Sequence, residues 1–251
     1  MSIRQVLVYL LWGVFAYAVA LLAMMPAAWL SQTIERLSGQ RLELRETSGS
    51  AWAGSGRLYA RAGAPGLTDV GAVRWKSFPA ALVRGKLRAD VTLNDARKPI
   101  HVEIGTSTIA VKDLALELPG KLVAALAPPL LLFGPEGRLT ILSDDLRIDD
   151  ESVFGLATVE WRDILLARSA NLQLGSHVAR LRGAGSRVDI ELGTLGGPLR
   201  VAGNGSWSLR GDLNLSGSAE PRADASAGLV PFLRGVCAEF REGRCIFHIK
   251  Y

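Results

Sequence analysis

The residues with the strongest potential for chemistry are Cys237 and Cys245, near the C-terminus. The polar stretch between them could reverse the chain, so in an oxidising compartment the pair would close a small loop. Such a disulfide stabilises a fold by roughly 2 to 3 kcal/mol. A zinc site needs four ligands, and only His248 lies nearby. We therefore expect a disulfide and no metal site, with two unpaired thiols as the alternative.

The other residues of catalytic type are dispersed along the chain. The three histidines, His101, His177 and His248, lie far apart, and two of them sit within strand-like alternations. The acidic run at residues 144–151 lacks a glycine and a terminal glutamate at the spacing of a calcium loop, so a turn is the expected structure. The sequence contains no Gly-x-Ser-x-Gly nucleophile motif, no phosphate-binding loop and no three-glycine dinucleotide motif. These features favour a protein that is not an enzyme and needs no cofactor.

The composition is that of a folded, basic protein. Of its 251 residues, 49% are hydrophobic and 21% are charged, which excludes a disordered chain and a transporter with many spans. The net charge of +5 is dispersed among apolar residues, whereas a nucleic-acid site would gather it into one patch. We expect solvated sheet surfaces and no nucleic-acid partner.

The beginning of the chain is its most apolar part. No charged residue lies between Arg4 and Glu35, and residues 6–25 form an almost continuous apolar run. About 20 helical residues cover a hydrocarbon layer of about 30 Å, so we predict one transmembrane anchor within residues 6–30. A cleaved signal peptide is the alternative, although its apolar region would be only about 7 to 15 residues long. The anchor residues that we single out are Val6, Leu10, Trp12, Phe15, Leu21 and Leu22.

The short head before the anchor, residues 1–5, contains Arg4 and no acidic residue. Positive charge before a span favours a cytoplasmic N-terminus, with the remaining chain on the other side of the membrane. The cysteine pair agrees with this orientation, because disulfides persist outside the reducing cytoplasm.

Beyond the anchor, helical spacing gives way to strict alternation, which is typical of half-buried strands. Turn-forming residues bound each alternating segment, as expected for antiparallel strands joined by tight turns. The sequence thus predicts a mainly β fold, with one N-terminal transmembrane helix followed by an antiparallel β-rich domain. The clearest strands are residues 87–93, 100–104, 156–161, 188–192 and 207–215, and the helical stretches are 78–83, 119–132 and 225–234.

Two short motifs recur in the same order in the two halves of this domain. Gly56-Arg-Leu58 precedes Val73-Arg-Trp75, and Gly137-Arg-Leu139 precedes Val159-Glu-Trp161. The preserved order predicts a duplicated β-unit in which the two tryptophans are equivalent, although packing in a core also explains a tryptophan. We place the two units at residues 40–135 and 136–251 and expect them to form a sandwich or an open groove.

Two segments shortly after the anchor carry a more specific pattern. They are Ser50-Ala-Trp52-Ala-Gly54-Ser-Gly56-Arg-Leu58 and Val73-Arg-Trp75-x-x-Phe-Pro79-x-x-Leu82-x-x-Gly85-x-Leu87. Together they resemble the type II secretion system protein N family, in which a Gly-Thr-x-Trp-x-Gly-like segment and a Trp-x-x-x-Pro element follow the anchor. Ser50 stands here in the place of the threonine. In the second half, Leu165 stands where the pattern would have a proline.

The resemblance implies an accessory inner-membrane component of the machine that carries folded proteins from the periplasm across the outer membrane. It implies no catalysis. With the orientation given above, we expect a periplasmic C-terminal domain that contacts other inner-membrane platform subunits. We predict that an edge strand near Trp52, Gly54 and Gly56 makes these contacts. The alternative is that the glycines only shape the sheet.

A second function from another class fits the same layout. Lipid-conducting proteins of the AsmA type leave the apolar face of a long sheet open to hold phospholipid chains. A sandwich would bury this face, whereas a groove would expose a large apolar patch. The residues that would line it are Leu87, Ala89, Val91, Leu93, Val188, Ile190, Leu192, Leu213 and Leu215.

Overall fold

Two helices begin the computed structural model, which describes residues 3–61, 66–122, 132–169, 171–223, 225–237 and 239–250. Helix α1 covers Ile3–Ala23 and helix α2 covers Ala28–Leu37. The described side chains of α1 are exposed, and the side chains of Val6, Phe15 and Leu22 lie outside the described part. Across the described residues, no helix combines the length and the apolar character that a membrane crossing requires.

The chain that follows is mainly strand. In the described residues, a further helix, α3, covers Leu229–Val236, and two short 3₁₀ helices cover Pro79–Arg84 and Gly120–Leu122. The strands are β1 (Leu42–Gly49), β2 (Ala53–Arg61), β3 (Leu67–Phe78), β4 (Leu87–Leu93), β5 (Ile100–Ile104), β6 (Thr108–Pro119), β7 (Pro135–Asp149), β8 (Val153–Leu166), β9 (Leu172–Gly185), β10 (Arg187–Gly196), β11 (Leu199–Ser208), β12 (Leu213–Pro221), β13 (Glu239–Arg241) and β14 (Arg244–Lys250).

In the described residues, these strands form a single antiparallel sheet in which each strand up to β12 lies beside the next strand of the chain. At the C-terminal edge, β14 lies between β12 and β13. The predicted mainly β, antiparallel fold is therefore confirmed. No second sheet occurs among the described residues to cover the apolar face. The division into units at residue 135 stays a prediction, and β6 and β7 pair with each other across it.

Several predicted segments coincide with observed elements. Strands β4 and β5 have the predicted bounds, and α3 overlaps the helical stretch predicted at 225–234. The stretch predicted as helix at 78–83 is the first 3₁₀ helix. Of the helix predicted at 119–132, residues 123–131 lie outside the described part, and only the second 3₁₀ helix is described there. Local patterns therefore identify short elements well.

The prediction of a single strand over residues 207–215 is wrong. Strand β11 ends at Ser208, and β12 begins at Leu213. Between them, the Ser208 hydroxyl donates to the Asp212 carboxylate at 3.0 Å, and Gly211 has a φ of 105° that favours glycine. The chain therefore reverses within a stretch whose alternation looks continuous.

Residues with positive φ interrupt the alternation inside the long strands. Asp113 in β6 has a φ of 53°, and the half-buried positions are Val111 before it and Leu114 after it. These positions are three residues apart instead of two. Asp163 in β8 has the same φ. At Asp163 the pairing of β8 with β9 changes register, so this position is a β-bulge, which bends the strand and shifts the phase of the alternation. At Asp113 the register between β6 and β7 is unchanged.

The apolar face of the sheet is only partly covered. The chain exposes 16229 Å². A compact protein of 26.9 kDa would expose about 10,800 Å². Among the described residues, buried side chains cluster beside α2, within β2 to β4, and beneath α3, and these clusters are separate from one another. The described part of the sheet therefore has no single continuous core.

Helix α2 covers the free edge of β1. The Ser31 hydroxyl donates to the Leu44 carbonyl at 2.6 Å, and the Leu42 backbone N–H donates to the Ser38 hydroxyl at 3.0 Å. An uncovered edge strand is a template for unwanted pairing with other chains. Two serine side chains thus satisfy backbone groups that would otherwise face outward.

Candidate functional site

The motif segments meet around Trp75, in a region that we call the N-terminal junction (residues 24–27, 49–54 and Trp75). The Trp75 side chain is 8% exposed, and its Nε1 donates to the Ser50 carbonyl at 3.1 Å. A Cβ atom at Gly54 would lie 2.6 Å from the Trp75 ring, so only glycine allows the indole to lie this close. The Trp-x-Gly pattern therefore has a packing role here.

Ser50 shapes the turn that leads into β2. Its hydroxyl accepts hydrogen bonds from the backbone N–H groups of Trp52, at 3.2 Å, and Ala53, at 3.1 Å. A threonine hydroxyl can accept the same bonds. The replacement of threonine by serine in the motif therefore preserves the chemistry of the turn.

The linker between α1 and α2 is bound to the same turn. The Ala27 N–H donates to the Gly49 carbonyl at 3.3 Å, and the Ala51 N–H donates to the Met25 carbonyl at 2.8 Å. Ala27 is only 2% exposed, and it packs with Leu44 and Trp75. The N-terminal junction thus fixes both helices to the first three strands of the sheet.

The predicted contact residues lie away from the edge of the sheet. Gly54 and Gly56 belong to β2, which lies between β1 and β3, and a Cβ atom at Gly56 would lie 3.0 Å from Leu44. Trp52 is half-buried, and Pro79 begins the first 3₁₀ helix. The two glycines thus allow close packing within the sheet, and the contact of all these residues with a partner stays a prediction.

Trp161 makes the same bond as Trp75 in the second half of the sheet. Its Nε1 donates to the Glu136 carbonyl at 3.2 Å, and in both cases the accepting carbonyl lies 25 residues earlier in the chain. Trp161, however, is half-buried, and its cross-strand neighbours are Leu139 and His177. The local geometry is thus repeated, whereas the covering of the indole differs.

An uncovered cleft of about 590 Å³ lies on the apolar face beyond Trp161, and we call it the open cleft. Pairing in register places Val188, Trp207 and Leu213 side by side on three neighbouring strands. Trp207 is 41% exposed, and none of the lining residues is charged. The lining residues are Leu146, Ile148, Val153, Gly155, Ala157, Leu181, Gly183, Val188, Ile190, Trp207, Leu209, Gly211 and Leu213.

His177 is a polar residue among these apolar strands. Its Nδ1 lies 3.3 Å from the Thr194 hydroxyl, and its Nε2 has no hydrogen-bond partner among the described residues. Burial lowers the pKa of this imidazole below its usual range, since a buried charge is poorly solvated. His177 is therefore neutral near pH 7.

Ion pairs occupy the opposite face of β4 and β5. The Glu103 carboxylate accepts from Lys86 and from Arg88, each at 2.6 Å, and these two bonds lower the pKa of the carboxyl. His101 lies 2.7 Å from Asp90. Among the residues that the structure describes, no three His, Cys, Asp or Glu side chains are placed to hold a metal ion. The geometry here is that of a solvated sheet surface.

Helix α3 covers the apolar face at one end of strands β8 to β14. Leu229 and Leu233 are buried there together with Cys245 of β14. Cys237, directly after the helix, forms a disulfide with Cys245 across a Cα–Cα distance of 5.7 Å, so the predicted disulfide is confirmed. The bond ties the end of α3 to the sheet.

The sequence analysis did not predict that α2 and α3 cover parts of the sheet. Leu30 and Ile34 of α2, four residues apart, pack against Leu44 and Trp75, and that spacing is visible in the sequence. Nothing in the local sequence indicates that, among the described residues, the ends of β7 to β12 that line the open cleft lack such a cover.

Comparisons with known proteins give one match. A family model for protein N of the type II secretion system matches residues 40–245. No curated protein and no solved structure matches the chain. The matched region begins just before β1 and ends within β14, so it includes the N-terminal junction strands and the open cleft.

Proposed function

Since the chain belongs to the type II secretion system protein N family, we propose that it is an accessory, structural subunit of that machine in the inner membrane. It acts through protein contacts in the periplasm, without catalysis. Its partners are the other inner-membrane platform subunits. The proposed role in secretion rests on the family match, and the open cleft supports a function that depends on protein contacts.

The open cleft is the best-supported contact surface. Its lining is uncharged, and the described residues supply no second sheet or helix to cover it. A contiguous apolar surface on a soluble domain marks a place where a partner or a membrane binds. In this proposal, apolar side chains of a platform subunit pack against this surface.

The proposal includes a membrane anchor and a periplasmic sheet. The uncharged run at residues 6–25 and the exposed side chains of α1 support the anchor. The Cys237–Cys245 disulfide supports an oxidising compartment for the sheet. The N-terminus then faces the cytoplasm.

Co-purification from cells that carry the whole secretion system tests the contact surface. Ile190→Asp places a charge in the open cleft, and Glu191→Lys changes the exposed neighbour on the other face of β10. After mild detergent extraction, we expect platform subunits to co-purify with the unchanged chain and with Glu191→Lys, but not with Ile190→Asp. Equal recovery with both variants would contradict the assigned surface, and no recovery with the unchanged chain would contradict the proposed function.

A second candidate function rests on the same cleft, because an uncharged open lining also fits acyl chains. In that case the protein carries phospholipid in the envelope. Native mass spectrometry of the detergent-extracted protein distinguishes the two functions. Bound phospholipid that is lost in Ile190→Asp and kept in Glu191→Lys would favour the lipid carrier, and its absence from the unchanged protein would favour the structural subunit.

A further inference from the structure

Helix α2 presents an outer side with an exposed tryptophan that the sheet does not cover. Its inner side packs through Leu30 and Ile34, whereas Trp29 is 58% exposed and Leu37 is 84% exposed. Met24, in the linker before the helix, is 80% exposed. Three large apolar side chains thus remain in solvent on α2 and on the linker that joins it to α1.

The polar residues on this side suit the boundary between water and lipid. Thr33 and Arg36 follow Trp29 at helical spacing, so the three side chains share one side of α2. The Thr33 hydroxyl donates to the Trp29 carbonyl at 2.9 Å, so its proton is already bonded. Tryptophan prefers the headgroup layer, and arginine is attracted to anionic lipid.

The linker is too short and too constrained to let α2 leave α1. Four residues join the helices, so the start of α2 lies within about 18 Å of the end of α1 even if the linker is fully extended. The linker is not free to extend, because Met25 and Ala27 are bonded to the turn at residues 49–51. Any surface that α1 enters therefore lies close to α2.

We propose that the outer side of α2, with Trp29 and Arg36, and the exposed Leu37 at the C-terminal end of the helix lie in the headgroup layer of the membrane that α1 enters. This inference rests on the proposed anchor. The occupant of the surface is phospholipid, because the same helix closes the β1 edge on its other side and stands beside the anchor. The N-terminal junction thus orients the sheet, with β1 as the strand nearest the membrane and the open cleft further away.

Spin labels on single introduced cysteines test this placement in the full chain. The two native cysteines form a disulfide and do not react with the label. Trp29→Cys and Leu37→Cys report on α2, and Val83→Cys, at a side chain that is 91% exposed, is the control. The labelled chain is reconstituted into vesicles of phosphatidylethanolamine with phosphatidylglycerol, and collisions with oxygen are compared with those of a water-soluble nickel chelate.

We expect labels at positions 29 and 37 to favour oxygen, which partitions into lipid, and the label at 83 to favour the nickel chelate. Equal nickel accessibility at all three positions, in a chain that resists carbonate extraction from the vesicles, would overturn the placement of α2 and leave the anchor standing. Release of the chain by carbonate would overturn the anchor, and the placement of α2 with it.

Discussion

Trp75 and Trp161 form the same hydrogen bond in different surroundings. Each indole donates to a backbone carbonyl that lies 25 residues earlier. Trp75 is enclosed by Gly54 and by the linker before α2, whereas Trp161 stays half-buried beside His177. The difference lies in the covering segments, which come from the chain that precedes the sheet.

This comparison shows how one sheet can be closed in one region and open in another. The equal spacing of the two bonds supports our proposal that the two halves derive from a duplicated β-unit. The first half has α2 and the linker as its cover, and α3 closes the far end. The opposite ends of the strands that α3 covers form the open cleft, which has no such cover among the described residues and is therefore available for a contact.

The largest effect should come from removing the enclosed tryptophan. Trp75→Ala deletes a buried side chain and leaves the Ser50 carbonyl without its donor, so we expect a loss of about 3 to 5 kcal/mol in unfolding free energy. Trp161→Ala, at a half-buried site, should lose about 2 kcal/mol. Urea unfolding of both variants, followed by circular dichroism, checks this order. A greater loss for Trp161→Ala would show that the second half is the better packed one.

Removing the disulfide tests how strongly α3 is held on the sheet. Replacing both Cys237 and Cys245 by serine removes the cross-link that holds α3 to β14, and the small loop predicts a loss of about 2.5 kcal/mol. Urea unfolding of the double variant should resemble that of the reduced unchanged protein. If reduction left the unfolding midpoint of the unchanged protein where it was, α3 would be held by packing alone.

Gly54→Ala tests the closeness of the indole at the N-terminal junction. The new methyl group would push against the Trp75 ring and the backbone, so we expect a loss of about 2 kcal/mol. Gly193→Ala in β10 is the matched control, because its methyl group would meet Val178 at an ordinary 3.5 Å. The midpoint of thermal unfolding should be clearly lower for Gly54→Ala than for Gly193→Ala. Equal midpoints would mean that the N-terminal junction accommodates the extra methyl group at little cost in stability.

The smallest effect concerns the pH dependence near Trp161. Burial lowers the pKa of His177 in the folded chain, while in the unfolded chain the pKa is about 6.5. As the pH falls below about 6.5, the unfolded chain therefore takes up a proton that the folded chain does not, and stability falls. His177→Gln should reduce this loss when urea midpoints are compared between pH 7 and pH 5. An identical pH profile in the variant would show that the imidazole is well solvated.

Local physics made part of this structure predictable from the sequence. The alternation of apolar and polar residues predicted the bounds of β4 and β5, and the spacing of Cys237 and Cys245 indicated the disulfide. Alternation failed where the backbone departs from it, as at Gly211, which turns a seemingly continuous strand into two. A pattern with period two carries no information on such reversals.

The candidate site was less predictable, because it depends on which segments cover a face. The motif around Trp52 and Gly54 suggested an exposed surface for a partner. In the structure, Gly54 instead leaves space for the Trp75 indole, which is distant in sequence. The apolar residues of the open cleft have the same alternation as those beneath α3. Only the three-dimensional arrangement shows which of them are covered.

Photocrosslinking in intact cells tests most directly whether the open cleft is a contact surface. A benzophenone amino acid at position 190, within the cleft, is compared with the same group at position 191, on the other face of β10. We expect a covalent adduct with a platform subunit of the secretion system from position 190 and none from position 191. Adducts with phospholipid alone, or protein adducts of equal strength from both positions, would contradict the assignment.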